Sequence, residues 1–342
     1  TTGGRLALDL ALARAAMATV GADLQQNEHS LRATMNQDML PYQQMARVDD
    51  AWFRSVGFFG EVNQPIGERV RAIAGLRADL WDARDERETL RSGMTVVANP
   101  TAGAERETTL TSGFARLERD LTGQPATIYA GLGHVQRFPD YWELVSAGKE
   151  SVDSLSAFRT GPEKTTQFDT GVVWSSERIA ASLAAFYSDV DDYILIETGY
   201  LKAPRRVTVT RNVDARTWGG AADATVALAP RWSATGSLAY TSRENRTDDR
   251  PLAQMPPLEL RTGLNYTGAR WSAGALWRVV TEQDRYALNQ GNIVGQDLGR
   301  TGGFGVLSLN AAWRPAAGVL VTAGVDNLFD KLYAEHLSRG GA

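Results

Sequence analysis

Residues 212–245 read NVDARTWGGAADATVALAPRWSATGSLAYTSREN. Within them Trp232, Ala234, Gly236, Leu238 and Tyr240 alternate with Ser233, Thr235, Ser237, Ala239 and Thr241. Alternation with period two sends one set to each face of an extended strand. Pro230 and Arg231 leave room for only a short turn before it, so the stretch reads as strand, turn, strand.

The same rhythm extends both ways from this unit. Leu258, Leu260, Thr262, Leu264 and Tyr266 alternate with Glu259, Arg261, Gly263, Asn265 and Thr267. Leu307, Leu309, Ala311 and Trp313 alternate with Val306, Ser308, Asn310, Ala312 and Arg314, and Val70 to Leu80 repeat the pattern against Arg69, Arg71, Arg77 and Asp79. Strands are expected near 3–12, 17–32, 53–66, 69–84, 106–121, 126–139, 164–176, 178–197, 207–229, 232–245, 257–268, 271–283, 303–314 and 318–329, about fourteen in all. Residues 5–20 also fit an amphipathic helix.

The connections alternate in length. Short ones fall near 13–16, 67–68, 122–125, 177, 230–231, 269–270 and 315–317. Long ones fall near 33–52, 85–105, 140–163, 198–206, 246–256 and 284–302, and after 330. Membrane β-barrels have this arrangement, with short periplasmic turns and long extracellular loops. In a soluble sandwich the apolar face packs a core; in a barrel it faces lipid. Recurrent arginines on the opposite face suit a wet lumen. Trp232, Tyr240, Tyr266, Trp271 and Trp313 near strand ends suit an interfacial girdle.

Composition narrows the class. The chain has 342 residues, a net charge of -4 and 22% charged residues, which offers no case for a nucleic-acid partner. No stretch approaches the roughly 20 uncharged apolar residues of a spanning helix. There are no cysteines, so disulfides, thiolate metal sites and thiol nucleophiles are excluded within it. No G-x-S-x-G elbow or phosphate loop appears and the three histidines are far apart, so no enzyme is expected.

The run 325–341, VDNLFDKLYAEHLSRGG, resembles the C-terminal signature of TonB-dependent outer-membrane receptors, carried here by Asn327, Leu328, Phe329, Asp330 and Tyr333. The resemblance spans nearly the whole chain. Residues 128–144 (IYAGLGHVQRFPDYWEL) and 20–32 (VGADLQQNEHSLR) look most like the copper receptors of that family. The resemblance implies an all-β transmembrane antiparallel barrel of about 22 strands, filled by an N-terminal plug that engages TonB. Residues 1–342 then read as the C-terminal part of such a barrel, with the plug and the last strand outside it.

Implied with it are the outer membrane of a Gram-negative bacterium, transport, contact with lipid and lipopolysaccharide, and a small ligand or metal ion as cargo. Copper is the favoured cargo; a siderophore or other iron chelate is the alternative, and a plug-less passive channel or structural barrel is a third reading. The family's barrel-side His-x-Met ligand loop lies upstream, and His29-Ser30-Leu31 does not match it.

Candidate copper ligands are His29, Met35, Met39 and Met45, because thioether and imidazole suit copper and three of the six methionines fall in one loop. The competing reading is gap-filling among loops. His134, followed by Arg137 to Trp142, reads as an aromatic rim, and His336 as facing loop solvent. Asp189, Asp191 and Asp192 read as a solvated strand end or lumen face rather than a hard-cation site, since the calcium-loop spacing is absent.

Overall fold

A computed structural model describes residues 1–337, apart from 33, 35, 94, 147 and 292–295. In chain order the strands are β1 (Thr2–Ala11), β2 (Met17–Leu31), β3 (Val48–Ile66), β4 (Val70–Asp85), β5 (Thr89–Ser92), β6 (Thr95–Ala98), β7 (Glu105–Asp120), β8 (Ala126–Arg137) and β9 (Lys149–Glu150). They continue with β10 (Glu163–Ser175), β11 (Ile179–Lys202), β12 (Arg205–Ala229), β13 (Trp232–Asn245), β14 (Arg250–Pro251), β15 (Glu259–Thr267), β16 (Trp271–Val280), β17 (Phe304–Trp313) and β18 (Val321–Val325). Among the described residues one α-helix forms, α1, the single turn Tyr141–Leu144.

Fourteen strands form one antiparallel path in sequence order, β1-β2-β3-β4-β7-β8-β10-β11-β12-β13-β15-β16-β17-β18. Each expected strand is present within a few residues of its expected bounds. The helical reading of 5–20 gives way to β1 and β2, joined by a 3-10 turn at Ala13–Ala15 and paired from Thr2↔Gln26 to Ala11↔Met17. β2 is paired along both edges, with β1 and β3, and β1 along one, and this pairing gives the segment the tertiary partners that an isolated amphipathic helix would lack. β1 and β18 are not hydrogen-bonded to each other, so the path is open.

The alternation is realised as two chemically distinct faces. One carries Leu6, Leu8, Leu24, Phe58, Leu76, Leu80, Leu117, Leu132, Leu183 and Leu264, all exposed. The other carries charge: Arg77 pairs with Asp23 and Asp79, and Arg71 with Glu118 and Asp120. Four glycines on this polar face sit directly opposite an aromatic residue in the ladder: Gly21 opposite Phe59, Gly75 opposite Phe114, Gly171 opposite Tyr129 and Gly219 opposite Phe186. A Cβ at Gly21 would lie 2.4 Å from the Phe59 ring and one at Gly171 2.7 Å from Tyr129 Cζ, so the rings lie flat across the space the glycines leave. Aromatic pairs mark the short-turn end of the apolar face, with Trp232 5.1 Å from Tyr266 and Trp271 stacked 5.2 Å from Trp313.

One connection departs from expectation. Residues 198–206 do not form a long loop; β11 and β12 continue as a hairpin to a tight turn at Ala203 and Pro204. Register shifts at Val190/Tyr193 and Glu197/Tyr200 let the hairpin bend while pairing continues. Asp191 and Asp192 occupy the first shift, so the strand does not end there. Asp192 has φ +59°, a conformation that aspartate tolerates, and its carboxylate accepts from Lys164 Nζ at 2.9 Å.

Candidate functional site

The long-loop end of the sheet is a packed layer. Segment 138–162 turns onto the polar face, where Phe138, Leu144, Val145 and Phe158 bury against Ala51, Phe53, Ala83 and Leu110 of the wall. Its first turn is fixed by a capping box: Glu143 N donates to Asp140 Oδ1, and Asp140 N donates to Glu143 Oε2, both at 2.9 Å. Asp85, fully buried, ties the segment down. Arg87 donates to its two oxygens at 2.9 and 2.8 Å, and Asn99 and Thr101 donate to Oδ2 at 3.0 and 2.7 Å. Arg87 Nη1 also donates to the Val145 carbonyl at 2.7 Å, and the Ser156 hydroxyl donates to Thr101 Oγ1 at 2.7 Å. A buried ion pair needs this complete set of partners.

The other loops join the same layer. β9 pairs in parallel with Thr208 and Val209 of β12, and Glu150 accepts from Lys202 and Arg205. Burial acts to raise the Glu150 pKa, but the Arg205 and Lys202 hydrogen bonds outweigh it and hold the carboxyl below its usual range. Asp248 behaves likewise between Arg211 and Arg250.

Two cavities remain. One, of about 780 Å³, is lined by Leu31, Met45, Asp49, Asp50, Arg87, Leu90 and Lys149. The second, of about 980 Å³, lies between segment 138–162 and the polar face of β10 to β13. Arg137, Trp142, Glu143, Lys149, Glu163, Gln167, Phe186, Thr241 and Arg243 line it.

The candidate copper ligands are dispersed in function. His29 stacks on Tyr141 at 4.1 Å and meets Phe53 edge-on at 5.7 Å, while Tyr141 donates its hydroxyl to Asp50 at 2.8 Å. Met45 lines the first cavity, Met39 is 79% exposed, and Met35 lies outside the described residues. No group of three His, Asp or Glu side chains is placed to hold a metal ion among the described residues. His134 is on the apolar-face side at the rim, where its ring bonds Thr166 at 2.9 Å. His336 does not face solvent: its side chain is 2% exposed, bonded to Thr301 and 3.7 Å from Asp297, itself buried.

The signature residues have a local role. Asn327 and Asp330 adopt positive φ (+52° and +49°), and the Asn327 side chain donates to the Lys331 carbonyl and accepts from Lys331 N, both at 2.9 Å. Tyr333 is thereby carried onto Phe304 at 4.1 Å, and Glu335 onto Arg278 at 3.0 Å. Leu328 N donates to the Leu307 carbonyl, and Phe329 is exposed. A search of curated proteins returned no match. The model of the family described as "TonB dependent receptor-like, beta-barrel" matches residues 1–328.

The chain belongs to the TonB-dependent receptor β-barrel family. Among solved structures it is similar to the copper transporter OprC, with 44% identity and a TM-score of 0.92, over 98% of this chain and 53% of that one. It shares the fold of the ferric-catecholate import receptor Fiu from E. coli K12 (17% identity, TM-score 0.68, 99% of this chain and 51% of that one). It shares it equally with the FrpB iron transporter from Neisseria meningitidis (15%, 0.70, 98% and 51%). The chain thus spans about half the length of the solved structures it matches. As in other barrels of this family, the apolar face is the one suited to lipid and the polar face the one suited to a lumen, and the packed layer forms the mouth at the long-loop end.

The sequence carries signals for this layer. Asp140-Tyr141-Trp142-Glu143 is a capping-box spacing, and Leu144-Val145 and Ala157-Phe158 are apolar pairs inside a nominal loop.

Proposed function

We propose that the chain is the lumen wall and extracellular mouth of an outer-membrane receptor that takes up copper with energy delivered through TonB. The observation that carries this reading is the likeness to the copper transporter OprC, at 44% identity over 98% of the chain, against 15–17% for the iron receptors. The wall supplies a charged lumen, and the loop layer supplies a preformed entrance. Met39 and Met45 are the described soft donors at that entrance, and lipopolysaccharide is the neighbour expected at the charged outer rim. The role is capture and passage.

The test is copper accumulation under copper limitation in cells that carry the receptor, lack it, or lack TonB. Uptake should require both proteins. Receptor-dependent accumulation of an iron chelate without copper would overturn the copper reading and leave the transport class standing.

A further inference from the structure

The short-turn end of the wall carries a collar of unpaired cations. The turns at 12–16, 67–69, 176–178, 230–231, 268–270 and 314–320 hold Arg14, Arg69, Arg178, Arg231, Arg270 and Arg314, and Arg119 stands just before the turn at 121–125. Each of these arginines is exposed, and among the described residues none has a carboxylate within ion-pair distance. The same turns hold only two acids, Glu68 and Glu177. Asp120, beside Arg119, is engaged by Arg71 and Thr127. Toward the long-loop end the pattern is reversed: Arg54, Arg84 and Lys164 pair with Asp82, Glu105 and Asp192.

The ladder fixes the level of these cations. The carbonyls of Arg69, Arg178, Arg231 and Arg270 each accept from the neighbouring strand, from Asp120 N, Ala227 N, Thr267 N and Arg314 N, at 2.8 to 2.9 Å. That level lies against the aromatic girdle: Arg231 precedes Trp232, Arg270 precedes Trp271 and Arg314 follows Trp313, the tryptophans of the two aromatic pairs. One strand residue advances about 3.3 Å, so each guanidinium starts just beyond the rings. Interfacial Trp and Tyr rings lie among lipid headgroups, which places the arginines at the depth of the phosphates. A guanidinium matches phosphate oxygens with paired donors. A surplus of cations also repels itself along the rim, and a headgroup of net negative charge relieves that repulsion. A zwitterionic headgroup brings its own ammonium and relieves less.

We propose that this collar binds anionic phospholipid headgroups of the leaflet at the short-turn end, the arginines taking the phosphodiesters while Trp232, Trp271 and Trp313 pack on the acyl chains beneath. Short turns of outer-membrane barrels are periplasmic, so the lipid is that of the periplasmic leaflet. The proposal rests on the outer-membrane reading above and adds which lipid the barrel selects and what sets its depth in the bilayer.

The experiment reconstitutes the receptor as the cell makes it into phosphatidylethanolamine bilayers that contain spin-labelled phosphatidylglycerol or spin-labelled phosphatidylethanolamine. Electron spin resonance reads the fraction of each label that the protein immobilises. The wild type should favour phosphatidylglycerol by about fivefold at each collar site, the scale of one cation beside an anionic headgroup. The preference should shrink as salt rises. Combining Arg231→Gln, Arg270→Gln and Arg314→Gln should lower it, whereas lysine at the same three positions should keep most of it. Arg54→Gln, in a paired cation toward the long-loop end, should leave it unchanged. Heat-modifiable mobility on electrophoresis shows that each variant is folded. Equal immobilisation of both lipids by the wild type overturns the proposal, as does a preference that the folded triple Gln variant keeps in full; either result leaves the receptor reading standing. A receptor that immobilises neither lipid overturns the outer-membrane reading and the collar with it.

Discussion

Arg77 and Asp23 are joined by two hydrogen bonds of 2.8 Å although a whole strand, β3, runs between them. The guanidinium crosses that strand at Gly57, where a Cβ would stand 2.1 Å from Arg77 Nη2 and 2.7 Å from Asp23 Oδ1. Three strands are thereby tied by one side chain, since Arg77 also binds Asp79 on its own strand. Gly57→Ala should displace the guanidinium and weaken the barrel by about 1 kcal/mol, a charge-assisted bond discounted for partial exposure. The midpoint of heat-modifiable mobility on electrophoresis reads this directly. An unchanged midpoint would show that the tie contributes nothing.

Phe158 is fully buried where segment 138–162 meets the wall. Phe158→Ala should cost that docking about 3–5 kcal/mol, the usual range for a buried phenylalanine. Limited proteolysis should then cut within 138–162 at protease levels that leave the wild type intact, while the transmembrane strands stay protected.

The Thr101 and Ser156 hydroxyls meet at 2.7 Å between two separate loops. Paired cysteines at these positions should oxidise to a disulfide, whose S–S bond is about 2.05 Å, and the chain has no other cysteine to compete. Because Arg87 and Asn99 still hold Asp85 when Thr101 is replaced, oxidation should leave ligand uptake unchanged. Uptake lost on oxidation and regained with reductant would instead make segment 138–162 a moving lid.

Acid should loosen the mouth within a defined window. The Glu150 and Asp248 carboxyls titrate below their ordinary values of 4.5 and 3.8, so their ties contribute fully above those values and are lost as pH falls through the lower folded values. Hydrogen-exchange protection in 148–151 and 246–250, taken relative to the intrinsic rate at each pH, should therefore match at pH 7 and pH 5 and fall only below about pH 4. Protection already lost at pH 5 would refute the assignment.

Tyr141 sets a limit at the other end of the scale. Burial and the bond to Asp50 push its phenol up to about 12 from 10.0. The bond is complete below pH 10 and is lost as pH rises through the folded value. Difference absorbance near pH 11 should show the same number of ionised tyrosines in the wild type and in Tyr141→Phe, with one more appearing in the wild type alone as pH passes about 12. That variant should also lose about 1–2 kcal/mol of loop docking, because Asp50 is left buried without its donor.

The transmembrane strands were legible because each obeys a purely local rule. In β13, Trp232 to Thr241 declare both faces in ten residues. The mouth was not legible in the same way. Whether Phe158 lies on the inner wall depends on Leu110 and Phe53, about fifty and a hundred residues earlier in the chain, and no periodicity carries that pairing. Asp191 and Asp192 looked like a strand end because a bulge breaks alternation without ending the ladder. The candidate ligand His29 was read by its chemistry alone, whereas stacking on Tyr141 decides what its ring does.

The aromatic rings laid over Gly21, Gly75, Gly171 and Gly219 also decide the texture of the bore. A phenylalanine pointing straight into the lumen would stand proud of the wall by the length of its ring. Here each ring is recessed into a neighbouring strand, so the lining has low relief while still covering the backbone beneath it. A surface of that kind offers few ledges on which a body moved along the barrel axis would catch, which makes these glycines a determinant of mechanical ease rather than of chemical selectivity.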